Sequence, residues 1–388
     1  MSAPRGGGEQ LVVPRAEFRS YYGRPVLKPP AWDWKVPAYL FTGGLSAGSA
    51  LLAAGADLTG RPGLRRAGRL GALAGLAVSA GLLVADLGRP ERFHHMMRVA
   101  KPTSPMSVGT WILTAYAPGV GLAAIAELLP RRDRATSGRS AADAALAAPR
   151  TGSGASRVLA ARGTGSGARR ALAARRTGSV AGGPYGRGGL GRGVLGGLLR
   201  AVARPAALSS AALAPAVASY TAVLLSQTAV PAWHEAHPYL PYVFTGSAAA
   251  SAGGLGMALA PVHEAGPARA FARYGAACEL AASKMMTTRL GLVAEAYHTG
   301  QAGRLHQWSE RLTAAGLVGT LAAHRSRSAA VASGLALLAG SALQRFAVFE
   351  AGVASTKDPK YVIVPQRQRL DERLAGSVQP ADEPADGV

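Results

Sequence analysis

The sequence predicts an all-α integral membrane protein with about eight transmembrane helices and a long disordered basic insertion, and three observations carry that prediction. Hydrophobic residues make up 48% of the 388, and mean hydropathy is positive despite a formal net charge of +22. That combination is too apolar for a soluble basic protein. Six stretches reach the roughly 17–25 mainly apolar residues that a bilayer crossing needs: Val36–Ala56, Leu70–Leu87, Val108–Leu129, Ala206–Val230, Leu240–Ala260 and Ser328–Phe349. The charge, finally, is concentrated: Arg131–Arg204 holds fifteen arginines, two aspartates and no lysine or glutamate, so +13 of the +22 lies in one segment.

Taken in order, residues 1–35 form a polar, proline-rich extramembrane segment. No cleavable signal is evident, so the first span is expected to remain and to act as its own insertion signal. Spans one to three occupy 36–130. In the first, Thr42, Gly43, Gly44, Ser46, Gly48 and Ser49 place small residues on more than one face. A second helix or a flat ring can therefore approach the backbone closely.

Residues 131–205 contain a thirteen-residue tandem repeat: Thr151–Gly163 resembles Thr164–Arg176, and a third copy starts at Thr177. Short repeats of Gly, Ser, Ala and Arg cannot bury a core, so disorder near anionic lipid is expected. A nucleic-acid partner is not expected, because the basic excess belongs to this single loop. Spans four to eight occupy 206–350, with Ala268–Arg289 and Leu305–Ala323 as the two weaker members, and residues 351–388 form an extramembrane tail. Placing the insertion in the cytoplasm agrees with Arg61, Arg65, Arg66 and Arg69 after span one and with Arg325 and Arg327 before span eight. Eight spans then put both termini outside.

The residues argue against resident metal redox centres. One cysteine, Cys278, cannot hold an iron–sulfur cluster. The eight histidines, His94, His95, His234, His237, His263, His298, His306 and His324, lie in loops or near predicted helix ends, which argues against haem between helices. Electrons would have to come from another subunit.

Four passages, in order along the sequence, resemble the NrfD/polysulfide-reductase membrane-subunit family. These are Pro37–Ser49 (PAYLFTGGLSAGS); Asp86–Pro90 (DLGRP) with Pro102–Gly109 (PTSPMSVG); Ser219–Ser226 (SYTAVLLS) with Pro231, Trp233 and Leu240–Ser247 (LPYVFTGS); and Arg345–Tyr361, which includes STKDP. The basic insertion departs from that family's compact pattern. The resemblance implies a quinone-reactive anchor of a molybdopterin oxidoreductase, binding menaquinone or ubiquinone among the first four spans. It also implies a ferredoxin-like iron–sulfur subunit docked over the pocket and a molybdopterin catalytic subunit beyond it. The segments Tyr21–Lys35, with Tyr22, Arg24, Pro25, Trp32 and Trp34, and Ser355–Arg369 would suit that docking.

A quinone headgroup needs hydrogen bonds to two carbonyl oxygens, and Tyr39, Thr42 and Tyr220 are candidate donors beside the small-residue surface around Gly43. Tyr220 is the leading candidate among them, its alternative being a buried tyrosine bonded to a neighbouring backbone carbonyl. Asp86 either closes its helix end, accepting from Arg89 and the Gly88 backbone, or relays the protons that quinone reduction takes up. Arg89, Arg92, His94 and His95 would favour a reduced, negatively charged ring, or else bind lipid phosphate, with Glu91 as a solvated partner. In span six, Glu279, Lys284 and Arg289 recur every five residues, each turned about 140° from the last, so they share no narrow face. Glu279 and Lys284 are candidates for proton transfer, and Glu235 and His237 for the pocket mouth or a partner contact. Two other classes remain open. A secondary transporter would carry an inverted repeat with interrupted helices, which is not evident, and a purely structural anchor would need no polar groups inside the membrane.

Overall fold

A computed structural model describes residues 26–98, 100–129 and 187–377, and within them every regular element is helical. In order these are α1 (Lys35–Leu58), α2 (Pro62–Ala85), a 3-10 helix (Pro90–Met97), α3 (Pro105–Leu128) and α4 (Arg187–Ser226). There follow the one-turn α5 (Pro231–His234), α6 (Leu240–Leu259), α7 (Gly266–Arg289), a 3-10 turn (Gly291–Ala294), the one-turn α8 (Glu295–His298), α9 (Gly300–Gly319), α10 (Arg327–Lys357) and α11 (Lys360–Ser377). Each of the eight predicted spans falls on one long helix: α1, α2, α3, α4, α6, α7, α9 and α10. Five of these, α1, α2, α3, α10 and the Gly197–Ser226 part of α4, are long and apolar enough to cross a membrane.

Two differences from the sequence reading concern element ends. Helix α4 starts at Arg187, inside the range 131–205 read as a loop, while the repeats at 151–176 lie outside the described residues. Span eight continues beyond Phe349 to Lys357, because Ala351, Gly352, Ser355 and Thr356 are buried against neighbouring helices. Beyond it α11 begins where the Asp358 carboxylate accepts the Lys360 amide at 3.0 Å, with Pro359 at a position where its missing N–H costs nothing.

The bulk of the described protein, residues 26–127 and 202–377, packs as one unit. Helices α1 to α4 form a first four-helix group around Ala47, Leu76, Tyr116, Val120 and Val217. Helices α6, α7, α9 and α10 form a second, and α1 packs against α6 between them. The hexapeptide that opens α1, Tyr39-Leu-Phe-Thr-Gly-Gly44, recurs in the same direction at the start of α6 as Tyr242-Val-Phe-Thr-Gly-Ser247. In the second copy the glycine is pressed shut: a Cβ on Gly246 would lie 2.6 Å from the Glu279 backbone nitrogen.

One end of the bundle is tied by charge. Arg65 Nε donates to Glu127 Oε1 at 2.6 Å and its Nη1 to Asp57 Oδ1 at 3.0 Å. Arg69 Nη1 donates to the same Glu127 oxygen at 3.0 Å, and Arg204 Nε lies 3.3 Å from Asp57 Oδ2. Two of the four arginines in the orientation signal after span one are therefore internal ion-pair partners.

Candidate functional site

At the opposite end, where α1 and α3 begin and α2 and α4 finish, the four helices enclose a cavity of about 190 Å³. Tyr39 and Gly43 face it from α1, Asp86 from the end of α2, Gly109 from α3 and Tyr220 from α4. Trp32 covers it from the segment before α1, and Met96 from the 3-10 helix. Most of the remaining lining is aliphatic, so the polar groups are few and converge, which is the usual make-up of a small-molecule site.

Helix geometry explains the convergence. The Ser79 hydroxyl donates to the Tyr39 carbonyl at 3.0 Å, and a Cβ on Gly43 would meet that same hydroxyl oxygen at 3.1 Å. Helices α1 and α2 are thus locked close together immediately beside the cavity. On the opposite wall the Tyr220 ring crosses α3 over Gly109, and its hydroxyl donates to the Pro105 carbonyl. Tyr220 has taken the backbone-bonded arrangement and presents its ring face as a wall. For the Tyr39 hydroxyl no hydrogen-bond partner is found among the described residues, so it is the donor left available to an occupant.

Asp86 stands just beyond the last turn of α2. Neither Arg89 nor the Gly88 amide bonds its carboxylate, and Arg89 itself is exposed. Burial, helped by the negative charge of Asp33, raises the carboxyl above the ordinary aspartate range, while Lys35 opposes the shift. Lys35 is held by Asp33, whose carboxylate pairs with its ammonium group and accepts its backbone amide at 2.8 Å. The cavity mouth thus carries a partly desolvated acid beside an ion pair.

Not every candidate gathers here. The Thr42 hydroxyl donates to the Ala38 carbonyl at 3.0 Å and lies outside the cavity lining. His94 and His95 are exposed, with ring centroids 4.4 Å apart. Glu235 pairs with Arg369 of α11 at 2.7 Å, and the His237 ring nitrogen lies 3.0 Å from the His234 carbonyl. In the two proposed docking segments, Trp34 is exposed, Trp32 stacks on buried Trp233 at 5.5 Å, and Ser355 is buried as the acceptor of the Ala232 amide. Tyr21–Pro25 lies outside the described residues.

Glu279 and Lys284 do not come together. Glu279 is buried in the second helix group, and Lys284 is exposed on the outer side of α7. The charge opposite Glu279 is Arg345, in the middle of α10 and only 1% exposed, which sequence reasoning missed. Its signal was available, as a single charged residue inside an otherwise apolar span. Two further features were also missed, the Gly109 cradle for Tyr220 and the Trp32 cover. Among the described residues no group of three or more His, Cys, Asp or Glu is placed to hold a metal ion.

Comparison with known proteins agrees with this geometry. Residues 26–162, which include α1, α2, the 3-10 helix and α3, match the family described as "Polysulphide reductase, NrfD". The protein is also 36% identical over 97 residues to the C subunit of the polysulfide reductase of Wolinella succinogenes, a match covering 23% of this sequence and 30% of that one. The match thus spans under a third of that relative's length. Three of the four walls of the cavity lie inside the matched region, so the similarity to the NrfD polysulphide reductase family covers the part of the protein that builds most of the cavity.

Proposed function

We propose that the protein is the quinone-binding membrane subunit of a multi-subunit oxidoreductase, exchanging electrons and protons between a partner iron–sulfur subunit and the membrane quinone pool. The observation that carries this reading is the cavity itself. It is a largely apolar cavity lined by Gly43 and the Tyr220 ring, with one uncommitted phenol and one carboxyl among its lining groups. A quinone ring is flat, apolar on both faces and carries two carbonyl acceptors at its edges, so the residues present fit it.

A bound quinone would supply a carrier of two electrons and two protons. The Tyr39 hydroxyl would donate to one carbonyl oxygen and set the angle of the ring. Gly43 lets α2 approach and Gly109 gives room to the Tyr220 ring, while Trp32 and Met96 would restrict water. The Asp86 carboxyl, holding its proton to higher pH than an ordinary aspartate, would exchange protons between the mouth and the cavity.

The relative's name, which makes it one lettered subunit of a polysulfide reductase, supports further subunits in the complex. The family resemblance supports an iron–sulfur subunit with a molybdopterin subunit beyond it. Exposed Arg92, His94, His95 and Trp34 stand at the cavity end, where such a subunit would bring electrons within reach.

The test is purification of the full-length protein in mild detergent, with lipid extraction for quinones and analysis of whatever co-purifies. Co-purified menaquinone or ubiquinone, lost in Tyr39→Phe, supports the reading. A folded protein that carries no quinone and takes none up from added decylubiquinone overturns it, and favours transport or a structural anchor.

A further inference from the structure

The second helix group holds a set of buried polar groups that the cavity does not use. Glu279 on α7 is 2% exposed, and neither of its carboxylate oxygens has a hydrogen-bond partner among the described residues. Arg345 on α10 faces it, yet no Arg345 nitrogen comes within the 4.0 Å of an ion pair. Arg345 instead donates from Nη2 to the Phe244 carbonyl at 2.7 Å and lies over the Phe244 ring at 3.6 Å, leaving Nε and Nη1 without partners. The hydroxyls of Ser247 and Ser341 stand beside the Glu279 carboxyl. Ser341 donates to the Ser247 carbonyl at 3.1 Å, and the Ser247 hydroxyl has no partner among the described residues. A purely structural pair would close this gap, since a buried charge left uncompensated costs several kcal/mol. Held apart among hydroxyls, the two groups suit a carboxyl that takes up and gives back a proton.

A polar row leads to it. One turn along α7, Ser283 Oγ lies 3.4 Å from Gln344 Nε2. Ser309 Oγ donates to Gln344 Oε1 at 3.0 Å. Beside Gln344 on α9 is His306, buried, with its Nδ1 unpartnered among the described residues and its Nε2 3.4 Å from Glu310 Oε1. The ring of exposed His298, at the cavity end of the bundle, lies 6.0 Å from the His306 ring.

The row also abuts the cavity. A Cβ on Gly44 would lie 3.2 Å from Arg345 Nη2, and the preceding residue, Gly43, lines the cavity. The two glycines are consecutive, about 100° apart around α1.

We propose that Glu279 and Arg345 form a buried proton-accepting centre, supplied from the cavity end through His298, His306 and the Gln344–Ser309–Ser283 cluster, and responsive to the charge of the cavity occupant across α1. The step is one proton passing from water at His298 to the Glu279 carboxylate; no electron moves in it and no bond to carbon changes. The charged and titratable groups acting on the row are Arg345 from α10, His306 and Glu310 from α9, His298 from α8 and Lys284 from α7. Helices α1 and α6 present uncharged residues to it, among them Gly44, Phe244, Gly246 and Ser247, and Cys278 and the Lys284 side chain lie on exposed faces of α7. The response to the occupant rests on the quinone reading, whereas the centre itself does not.

The test is infrared difference spectroscopy of the full-length protein in phospholipid vesicles, switching between decylubiquinone and its quinol and, separately, stepping the pH. A protonated-carboxyl stretch is expected in both experiments, moved in frequency in Glu279→Asp and abolished in Glu279→Gln. In His306→Asn the same amplitude should develop several-fold more slowly. A band that is unchanged in both Glu279 variants overturns the centre. If Glu279→Gln fails to fold, an unmoved band in Glu279→Asp does so alone. Bound-quinone ring bands without a Glu279 response overturn the link across α1. Absence of those ring bands overturns the quinone reading instead, and the pH step then decides the centre by itself.

Discussion

Gly109 leaves the space that the Tyr220 ring occupies: a Cβ at residue 109 would lie 1.9 Å from Tyr220 Cζ and 2.3 Å from its hydroxyl oxygen. The glycine of one span and the tyrosine of another are therefore a single fitted unit, and the ring so placed is one wall of the cavity. Gly109→Ala should displace the ring at about 1–3 kcal/mol of overpacking. Thermal unfolding in detergent should show the loss, together with abolished decylubiquinone binding. Tyr220→Ala on top of Gly109→Ala should relieve part of the strain without restoring binding.

Tyr39→Phe removes a hydroxyl that bonds nothing else described, so unfolding should be unchanged within error. If that hydroxyl meets a quinone carbonyl, the loss of one hydrogen bond, about 1–1.5 kcal/mol, predicts roughly tenfold weaker decylubiquinone binding. Equal affinity in a fluorescence-quenching titration would remove Tyr39 from the site.

Asp86 should betray its environment through pH. Its folded carboxyl holds a proton above the range of the unfolded state, so the native state binds more protons than the unfolded state in that window and stability falls as pH rises through it. Below the unfolded pKa both states are protonated and the effect vanishes. Asp86→Asn should therefore unfold at a higher temperature than the native protein near neutrality and at the same temperature in strong acid. A constant difference across the range would contradict the burial argument.

Glu127, its side chain 3% exposed, accepts from both Arg65 and Arg69. Glu127→Gln replaces the shared carboxylate by an uncharged amide while Asp57 still pairs with both guanidinium groups, a loss of about 1.5–3 kcal/mol for a charged hydrogen bond. Denaturant unfolding should register it, with quinone binding at the far end retained in the folded fraction.

How much of this was legible follows from what sequence encodes locally. Apolar runs of bilayer length fixed the long helices, because hydropathy and length are properties of contiguous residues. The cavity was half legible: Tyr39, Gly43, Asp86 and Tyr220 meet there, whereas Thr42, about 100° around α1 from Gly43, turns to its own backbone and Arg89 to the surface. Glu279 stood out as an acid in a span, but its facing charge, Arg345, lies two spans later, and only tertiary packing joins them. The repeated Tyr-x-Phe-Thr-Gly was in plain view. Its meaning was not, since one copy borders a cavity and the other closes against α7, according to what the facing helix presents. Helix α11 was missed although Asp358-Pro359 is a recognisable start signal.

The ion-pair hub at the far end bears on how this protein tolerates change. Glu127 near the end of α3 is tied to charges on α2, and Arg204 in α4 to a charge on α1, so the two helices that flank the basic insertion are anchored independently of the polypeptide joining them. Loop-closure cost grows only with the logarithm of length, about 0.6 kcal/mol per doubling. The connection between the third and fourth spans is thus a place where tandem duplications can accumulate at little thermodynamic penalty, and where a lineage can lengthen, shorten or decorate the protein without disturbing the chamber at its other end.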